Sequence, residues 1–359
     1  MTDNKKKVAV IGFGGMGRWH VRHLLKSDVA KLTGIYDIDP AKYDIINTDE
    51  RYTGVSTYAS LEDVLSDESV DIVTIAVPND SHAPIALAAM KAGKNVICEK
   101  PVCMNSKELA EIYSVSEETG KLFTVHQNRR WDNDYLMIKE LYASGELGEV
   151  FNIESRVLGS HGIPGDWRGH KKHGGGMMLD WGVHLIDQML GIVYDKKIER
   201  VYCHCEHVTN DEVDDGFKLD LYFEGGLVAR IEVGTSHFIK LPRYFVNGSN
   251  GSALVETWNC DARVVCCKDE NDRDVVPVVT AAGLTKTMAP RSKESMREYT
   301  VPCPKVDVHD FYRNFCLAID GKAEQIVTHA QVMRVMKIME AALKSDRLRA
   351  PVDLDEVSK

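Results

Sequence analysis

Val8-Ala9-Val10-Ile11-Gly12-Phe13-Gly14-Gly15-Met16-Gly17 follows Lys5-Lys6-Lys7 near the start of the 359-residue chain. The four apolar residues read as a short buried strand. Gly12, Gly14 and Gly17 then fall in G-x-G-x-x-G spacing, with distinct roles: a tight turn, a close backbone approach to a pyrophosphate, and a helix packed against the strand. The predicted helix runs over 18–26, with its free N–H groups and dipole turned to the phosphates. A second strand over 31–36 ends in Asp37, about 20 residues beyond the loop, where an acidic side chain accepts from the adenosine ribose hydroxyls and repels a 2′-phosphate. This context favours a dinucleotide site over a bare glycine turn with Asp37 as a helix cap. It also favours NAD over NADP. Lys5–Lys7 reads as a solvated lead-in.

Strand and helix patterns go on alternating through the first third. A helix is expected near 40–47, a strand at 55–57, and Ser60 as the cap of a helix over 61–65. The run 71–77 reads as a continuous apolar strand, covered on both faces in a parallel sheet, and Pro78-Asn79 ends it. An alanine-rich helix follows over 84–92 and a strand over 95–98. Ser106 is expected to cap a helix to Glu118, and a strand lies at 122–125. This is a doubly wound α/β fold for residues 1–126, a Rossmann parallel sheet. From 127 to 359 the expectation is an α+β part built on a large, open, mostly antiparallel sheet, for binding substrate and for oligomer contacts. Its strands are expected at 150–157, 198–208, 216–223, 226–234, 244–248 and 253–256, with turn signals between several. A helix is expected over 180–190, hairpin ends and a long loop over 269–298, and closing helices over 308–319 and 330–343.

Composition bounds the function. The formal net charge is -10, which argues against a nucleic-acid or anionic-membrane surface. No apolar run is long enough to span a bilayer, and the basic N-terminus passes straight into the first strand, so a cytoplasmic protein is expected. The 9 cysteines form no regular framework and fit free thiols. Cys203, Cys205 and His207 alternate along one strand face. That spacing suits zinc, but cysteine as a small core hydrophobe explains it without a fourth ligand. A metal on Asp180, His184 and Asp187 is disfavoured for the same reason, so no metal is expected.

Glu99-Lys100-Pro101 ends the strand over 95–98 and displays Lys100 where open α/β sheets bind ligands. Asp180 and His184 lie four apart in a helix-like segment and share a face. Together the three suffice to remove a proton from an alcohol while a cofactor takes a hydride. His184 is the candidate base, protonated Lys100 stabilises negative charge on the same oxygen, and Asp180 orients them or binds a neighbouring hydroxyl. Alternatives without catalysis are a core histidine at 184 and a cap at 180. Asn79 and Glu99 follow strand ends and are assigned to cofactor binding, as is Pro78. His82 is assigned there too, with helix capping as its alternative.

These segments together resemble the glucose–fructose oxidoreductase / inositol dehydrogenase (Gfo/Idh/MocA) family over essentially the whole chain. The matching pieces are Gly12–Gly17, Val77-Pro78-Asn79 with His82, Glu99-Lys100-Pro101, Gly175-Gly176-Met177-Met178-Leu179-Asp180-Trp181-Gly182-Val183-His184, and Asp310-Phe311-Tyr312-Arg313-Asn314-Phe315. Gln127-Asn128-Arg129-Arg130-Trp131-Asp132 is similar to scyllo-inositol dehydrogenases and related sugar oxidoreductases. The resemblance implies a sugar, glycoside or cyclic polyol as substrate and a homodimer or homotetramer formed through the C-terminal sheet. It supports Lys100, Asp180 and His184 as catalytic. The cofactor set is then Gly12, Phe13, Gly14, Gly15, Met16, Gly17, Asp37, Pro78, Asn79, His82, Glu99, Lys100, Gln127, Trp167 and Arg168. Besides the three catalytic groups, Arg129, Trp131 and His161 are assigned to substrate; core packing is the alternative for both tryptophans. His170 and His173 stay open, and Gly174–Gly176 is read as a closing hinge or as room for close backbone approach. Asp37 departs from NADP-preferring inositol enzymes, which puts oxidation at C3 of a glucoside beside inositol oxidation. A redox glycosidase with tightly held NAD and a non-catalytic sugar sensor are the remaining alternatives.

Overall fold

The computed structural model describes residues 5–269, 271 and 274–354, and its strands form two large sheets and a small hairpin. The first large sheet holds β1 (Lys6–Ile11), β2 (Ala30–Tyr36), β3 (Ser56–Thr57), β4 (Ile72–Ile75), β5 (Asn95–Cys98) and β6 (Phe123–Val125). All pair in parallel, in the order β3-β2-β1-β4-β5-β6. The order reverses between β1 and β4, and a ligand crevice belongs at that point, beyond the carboxyl ends of the strands. The helices between them are α1 (Gly15–Leu24), α2 (Tyr43–Thr48), α3 (Leu61–Ser66), α4 (His82–Lys91) and α5 (Ser106–Thr119).

Helix α1 starts three residues earlier than the pattern suggests, because the glycines wind into its first turn. Gly14 is its N-cap and makes no side-chain cap bond. Ser60 caps α3 by accepting from Asp63 N at 3.1 Å. At α5 the expectation fails by one residue. Asn105 is the cap, its carboxamide oxygen accepting from the N–H groups of Lys107 and Glu108. Ser106 is instead held by Glu340, which accepts from both its N–H and its hydroxyl.

The chain then forms α6 (Asn133–Ser144), which the sequence reading passed over, and β7 (Val150–Leu158). A π-helical turn, Met178–Gly182, runs into α7 (Val183–Ile192). The second sheet is completed by β8 (Ile198–Glu206), β9 (Gly216–Phe223), β10 (Val228–Gly234), β11 (Tyr244–Gly248), β12 (Gly251–Val255) and β13 (Ala262–Cys267). A hairpin, β14 (Val278–Thr280) and β15 (Gly283–Thr285), precedes edge strand β16 (Met296–Val301). The stretch 269–298 therefore holds more structure than the expected long loop; residues 270, 272 and 273 lie outside the described ones. Helices α8 (Asp310–Ile319) and α9 (His329–Leu348) and the short β17 (Val352–Asp353) close the fold. The sheet order is β16-β13-β12-β11-β7-β10-β9-β8-β17, antiparallel except for the β7–β10 pair. Helices α7 and α9 pack on this sheet, whereas α8 crosses back to α1.

Candidate active site

Two of the three glycines of the phosphate loop have no room for a side chain. Gly12 has φ +92°, and a Cβ there would lie 2.3 Å from the Ala76 carbonyl; one on Gly17 would lie 1.9 Å from the Gly12 carbonyl. Gly14 and Gly15 face open space. The uncapped first turn of α1 therefore opens on an unobstructed, exposed loop, an arrangement that fits a pyrophosphate. Phe13 turns its ring into the core against Tyr52. Its N–H donates to Asp37 Oδ2 at 2.6 Å and Asp39 N–H donates to Oδ1 at 2.9 Å. Burial pushes the Asp37 carboxyl up, and these N–H groups with Lys42 more than offset it, leaving it below its ordinary range.

At the end of β5, Lys100 Nζ donates to the Asp180 carbonyl and to Asp180 Oδ1, both at 2.9 Å. Arg168 Nε, of a side chain expected at the cofactor, lies 3.4 Å from Asp180 Oδ2 and braces that carboxylate. Burial raises the Asp180 pKa, but Lys100 and Arg168 outweigh it and keep the carboxylate ionised below its usual range. His184 lies one turn on and is 4% exposed. Its Nδ1 has no hydrogen-bond partner. Burial, then the Lys100 and Arg129 cations, hold its pKa well below 6.5, so the imidazole is neutral at physiological pH. The π-helical turn that carries Asp180 is a local departure of a kind common at functional sites. Asp214 anchors it, its carboxylate accepting from Met178 N at 2.7 Å.

Beside Lys100, β6 leads to Gln127, whose buried carboxamide has no partner at either end. Asn128 Oδ1 and Arg129 Nε are also buried and unpaired. Buried polar atoms are nearly always satisfied, so this row of orphans marks a surface built for a polar ligand. The Arg129 guanidinium lies 4.3 Å from the Trp181 ring centre and 5.0 Å from that of Trp258. Arg243 lies 4.6 Å from Trp258 and pairs with buried Asp134 at 2.9 Å. Gln188 of α7 donates to the Arg129 carbonyl at 2.7 Å and accepts from Arg243, tying this wall to the helix that carries His184. Sequence reading missed Trp181, Trp258 and Arg243. The place of Trp181 between Asp180 and His184 was the one available signal.

Other assigned residues sit differently from expectation. Glu99 turns its carboxylate inward: Oε1 lies 2.8 Å from His20 Nε2 and 2.7 Å from His126 Nδ1, while His20 Nδ1 meets the Tyr312 hydroxyl. His20, Glu99 and His126 form the one grouping with metal-ligand spacing among the described residues. His82 places its nitrogens on the Pro101 and Val77 carbonyls at 2.8 and 2.9 Å, bracing two loops. Asn79 Nδ2 donates to the Gly174 carbonyl at 2.8 Å, while Pro78 is exposed at the end of β4. Added Cβ atoms on Gly174, Gly175 and Gly176 would meet atoms at 2.7, 2.2 and 2.3 Å, so close approach accounts for the glycine run. Trp131 packs edge-on to Phe311 and lines a separate cavity of about 370 Å³ with Arg130, Tyr135 and Arg334. Trp167 lies under the Arg168 guanidinium, and His161 is exposed. His173 pairs with Asp80 and His170 with Glu212. Cys203 and Cys205 are buried on β8, and the exposed His207 reaches the Asn210 carbonyl.

The buried imidazoles make stability depend on pH. Burial and the His126 charge push His20 down to about 4. In the unfolded chain it returns to about 6.5, so between those values the unfolded state binds more protons and stability rises with pH. Going from pH 7 to pH 5 should cost about 2 kcal/mol through His20 alone, with His184 acting in the same direction. The melting temperature should be lower at pH 5 than at pH 7; an equal or higher value at pH 5 would contradict neutral buried histidines.

Residues 6–127 match the oxidoreductase family profile for the NAD-binding Rossmann fold, and residues 135–254 match the GFO/IDH/MocA C-terminal domain. The chain belongs to the Gfo/Idh/MocA oxidoreductase family. A solved NAD-binding protein from Listeria innocua superposes with TM-score 0.92 at 42% identity, covering 98% of this chain and 100% of that one. A scyllo-inositol 2-dehydrogenase (NADP(+)) of Bacillus subtilis is 27% identical over 97% of this chain and 96% of its own length. A D-glucoside 3-dehydrogenase of Escherichia coli is 26% identical over 57% of this chain and 58% of its own. In this Gfo/Idh/MocA chain, Lys100 follows β5 of the first sheet, and Asp180 and His184 stand on the helical segment that packs on β10 of the second. No helix among the described residues is long and apolar enough to cross a membrane.

Proposed function

We propose that this oxidoreductase converts a secondary ring hydroxyl of a sugar, glycoside or cyclic polyol to a ketone, with C3 of a glucoside as the first candidate. The observation that carries the reading is the Lys100–Asp180 pair beside a neutral, buried His184 at the carboxyl end of the first sheet. The glycine loop, the start of α1 and Asp37 would hold a nicotinamide dinucleotide, which supplies the hydride acceptor when bound. Neutral His184 accepts the hydroxyl proton. Lys100, paired with Asp180, stabilises negative charge gathering on the same oxygen. Asp180 fixes the ammonium through two contacts, and Arg168 holds Asp180. Gln127 and Arg129 offer unpaired donors to neighbouring hydroxyls or to a cofactor amide. The near-full-length likeness to the scyllo-inositol enzyme supports inositol as the second substrate reading.

Purified protein would be mixed with inositols, free sugars and glucosides, with and without added NAD, and followed at the reduced-nicotinamide absorbance band. Steady NADH formation with glucosides is expected. Formation with inositols alone would shift the assignment to the second reading, and no reduction with any member would overturn both. A single turnover without net NADH would point to a closed redox cycle such as redox-assisted glycoside cleavage.

Asp37 supports NAD as the preferred cofactor. Asp37→Ala should shift the NADH-to-NADPH affinity ratio toward NADPH by about tenfold, the scale of one lost charge-assisted bond and one relieved repulsion. An unchanged ratio would remove Asp37 from the ribose site.

A further inference from the structure

The cavity of about 370 Å³ beside Trp131 lies between α6, α7 and α9, and none of Lys100, Asp180 and His184 lines it. Its one acidic residue, Asp187 of α7, is already matched. The carboxylate accepts from Arg130 Nε at 2.7 Å and from Nη2 at 2.6 Å, while Nη1 donates to the Ile326 carbonyl and to Gln331 Oε1, both at 2.9 Å. Three other donors have no acceptor among the described residues: the Arg334 guanidinium of α9, and the Lys139 ammonium and Tyr135 hydroxyl of α6. Arg334 is half-buried, and burial alone acts on it, lowering its pKa with no carboxylate to offset the effect. Lys139 Nζ stands 5.8 Å from the Tyr135 ring centre. Burial and the Asp187 charge push the Tyr135 hydroxyl up, so it stays a donor. It fits against α7 only because residue 191 is glycine, where a Cβ would lie 2.2 Å from the hydroxyl oxygen.

Two uncompensated cations and a hydroxyl donor suit a dianion with several acceptor oxygens. A phosphate monoester carries about −1.5 to −2 charge at pH 7 and offers three such oxygens. The rest of the wall includes Trp131 and Tyr194, whose rings suit the C–H face of a sugar, and the volume lies within the range of small-molecule sites. We propose that this cavity is a second ligand site, for a phosphorylated sugar, with Arg334, Lys139 and Tyr135 on the phosphate and the aromatic wall on the ring. Arg130 and Asp187 form its base and keep their own bonds. Binding there needs neither nucleotide nor turnover, so it stands or falls apart from the reaction proposed for Lys100, Asp180 and His184.

Calorimetric titration of the full chain with glucose 6-phosphate, without nucleotide, tests the site. The native protein should bind it with a dissociation constant below about 1 mM, and bind glucose or inorganic phosphate at least about fivefold more weakly. Arg334→Met, and Lys139→Met at an exposed position, should each weaken the ester by roughly fivefold or more. Arg334→Lys keeps the charge and should lose less than Arg334→Met. Lys100→Ala, which alters the candidate active site instead, should stay within about twofold of the native protein. No binding below about 1 mM, native affinity in either methionine variant, or glucose or phosphate binding as tightly as the ester overturns the site. So does a loss in Arg334→Lys equal to that in Arg334→Met, which would assign the effect to packing, or a loss in Lys100→Ala as large as theirs, which would place the ester in the candidate active site.

Discussion

Replacing Lys100 by alanine should lower turnover by about a thousandfold or more while leaving reduced-cofactor binding within a few fold, since charge stabilisation and proton transfer each supply factors of that order. The Lys100 ammonium makes its two hydrogen bonds with Asp180, not with the phosphate loop or Asp37. Its loss leaves Asp180 still facing Arg168, so the fold keeps a partner for the buried carboxylate. His184→Ala should lose a comparable factor by a different route, because the neutral imidazole is the proposed proton acceptor. Its Nδ1 satisfies no other group, so its removal strands no donor there. Steady-state rates with the substrate found in the panel, beside circular dichroism and cofactor titration, check both variants. Rates like those of the native protein in either one would end the proposed mechanism.

Gly17→Ala should weaken NADH binding by roughly ten- to a hundredfold, and it does so through geometry rather than chemistry. The added Cβ would overlap the Gly12 carbonyl, which lies in a turn that is itself pressed against Ala76. Relief requires α1 to move away from β1. Overpacking of this kind costs about 1–3 kcal/mol of stability. The same movement takes the helix N-terminus from the phosphates, where each favourable charge–dipole contact contributes up to about 2 kcal/mol. Thermal unfolding without cofactor isolates the packing effect: Gly17→Ala should melt lower than the native protein, and Gly14→Ala, whose Cβ meets no protein atom within 4 Å, should fall less. Calorimetric NADH titration should show the loss in Gly17→Ala; an affinity equal to that of the native protein would mean the close approach of helix and strand is not what shapes the loop.

The first sheet was legible because its strands are continuous apolar runs punctuated by glycine, proline and capping residues. Val8–Ile11 and 72–75 are buried on both faces, and their ends are marked in the sequence. The grouping of Lys100, Asp180 and His184, the trio proposed as catalytic, was legible because Lys100 ends such a strand and Asp180 and His184 share a helix face. Less visible were features set by distant partners. Arg243 is buried by Asp134 and Trp258, more than a hundred residues and fifteen residues away, and no local pattern announces either contact. Edge strand β16 has no buried residue, its positions being half-buried or exposed, so it lacks the alternation that marks a strand. The Asn105 cap was displaced by one residue in the sequence reading because Ser106 is an equally good capping type, and only the carboxylate of Glu340 decides between them. Glu99 follows a strand end as expected, yet two histidines hold its carboxylate inward; a strand's end gives position without giving the direction of its last side chain.

Helix α8 gives the topology a further meaning. Tyr312 meets His20, His309 approaches His23, and Arg313 pairs with Asp28, all on or just after α1. The chain therefore leaves the nucleotide-binding half at β6, builds most of the second sheet, and comes home to complete the half it left. It resembles a clasp more than two beads on a string. A recombinant fragment ending at Val125 would expose the α1 surface that α8 covers and leave His20 without its tyrosine. Separating the halves for study calls for joining the returning helix to the first half, not for a single cut.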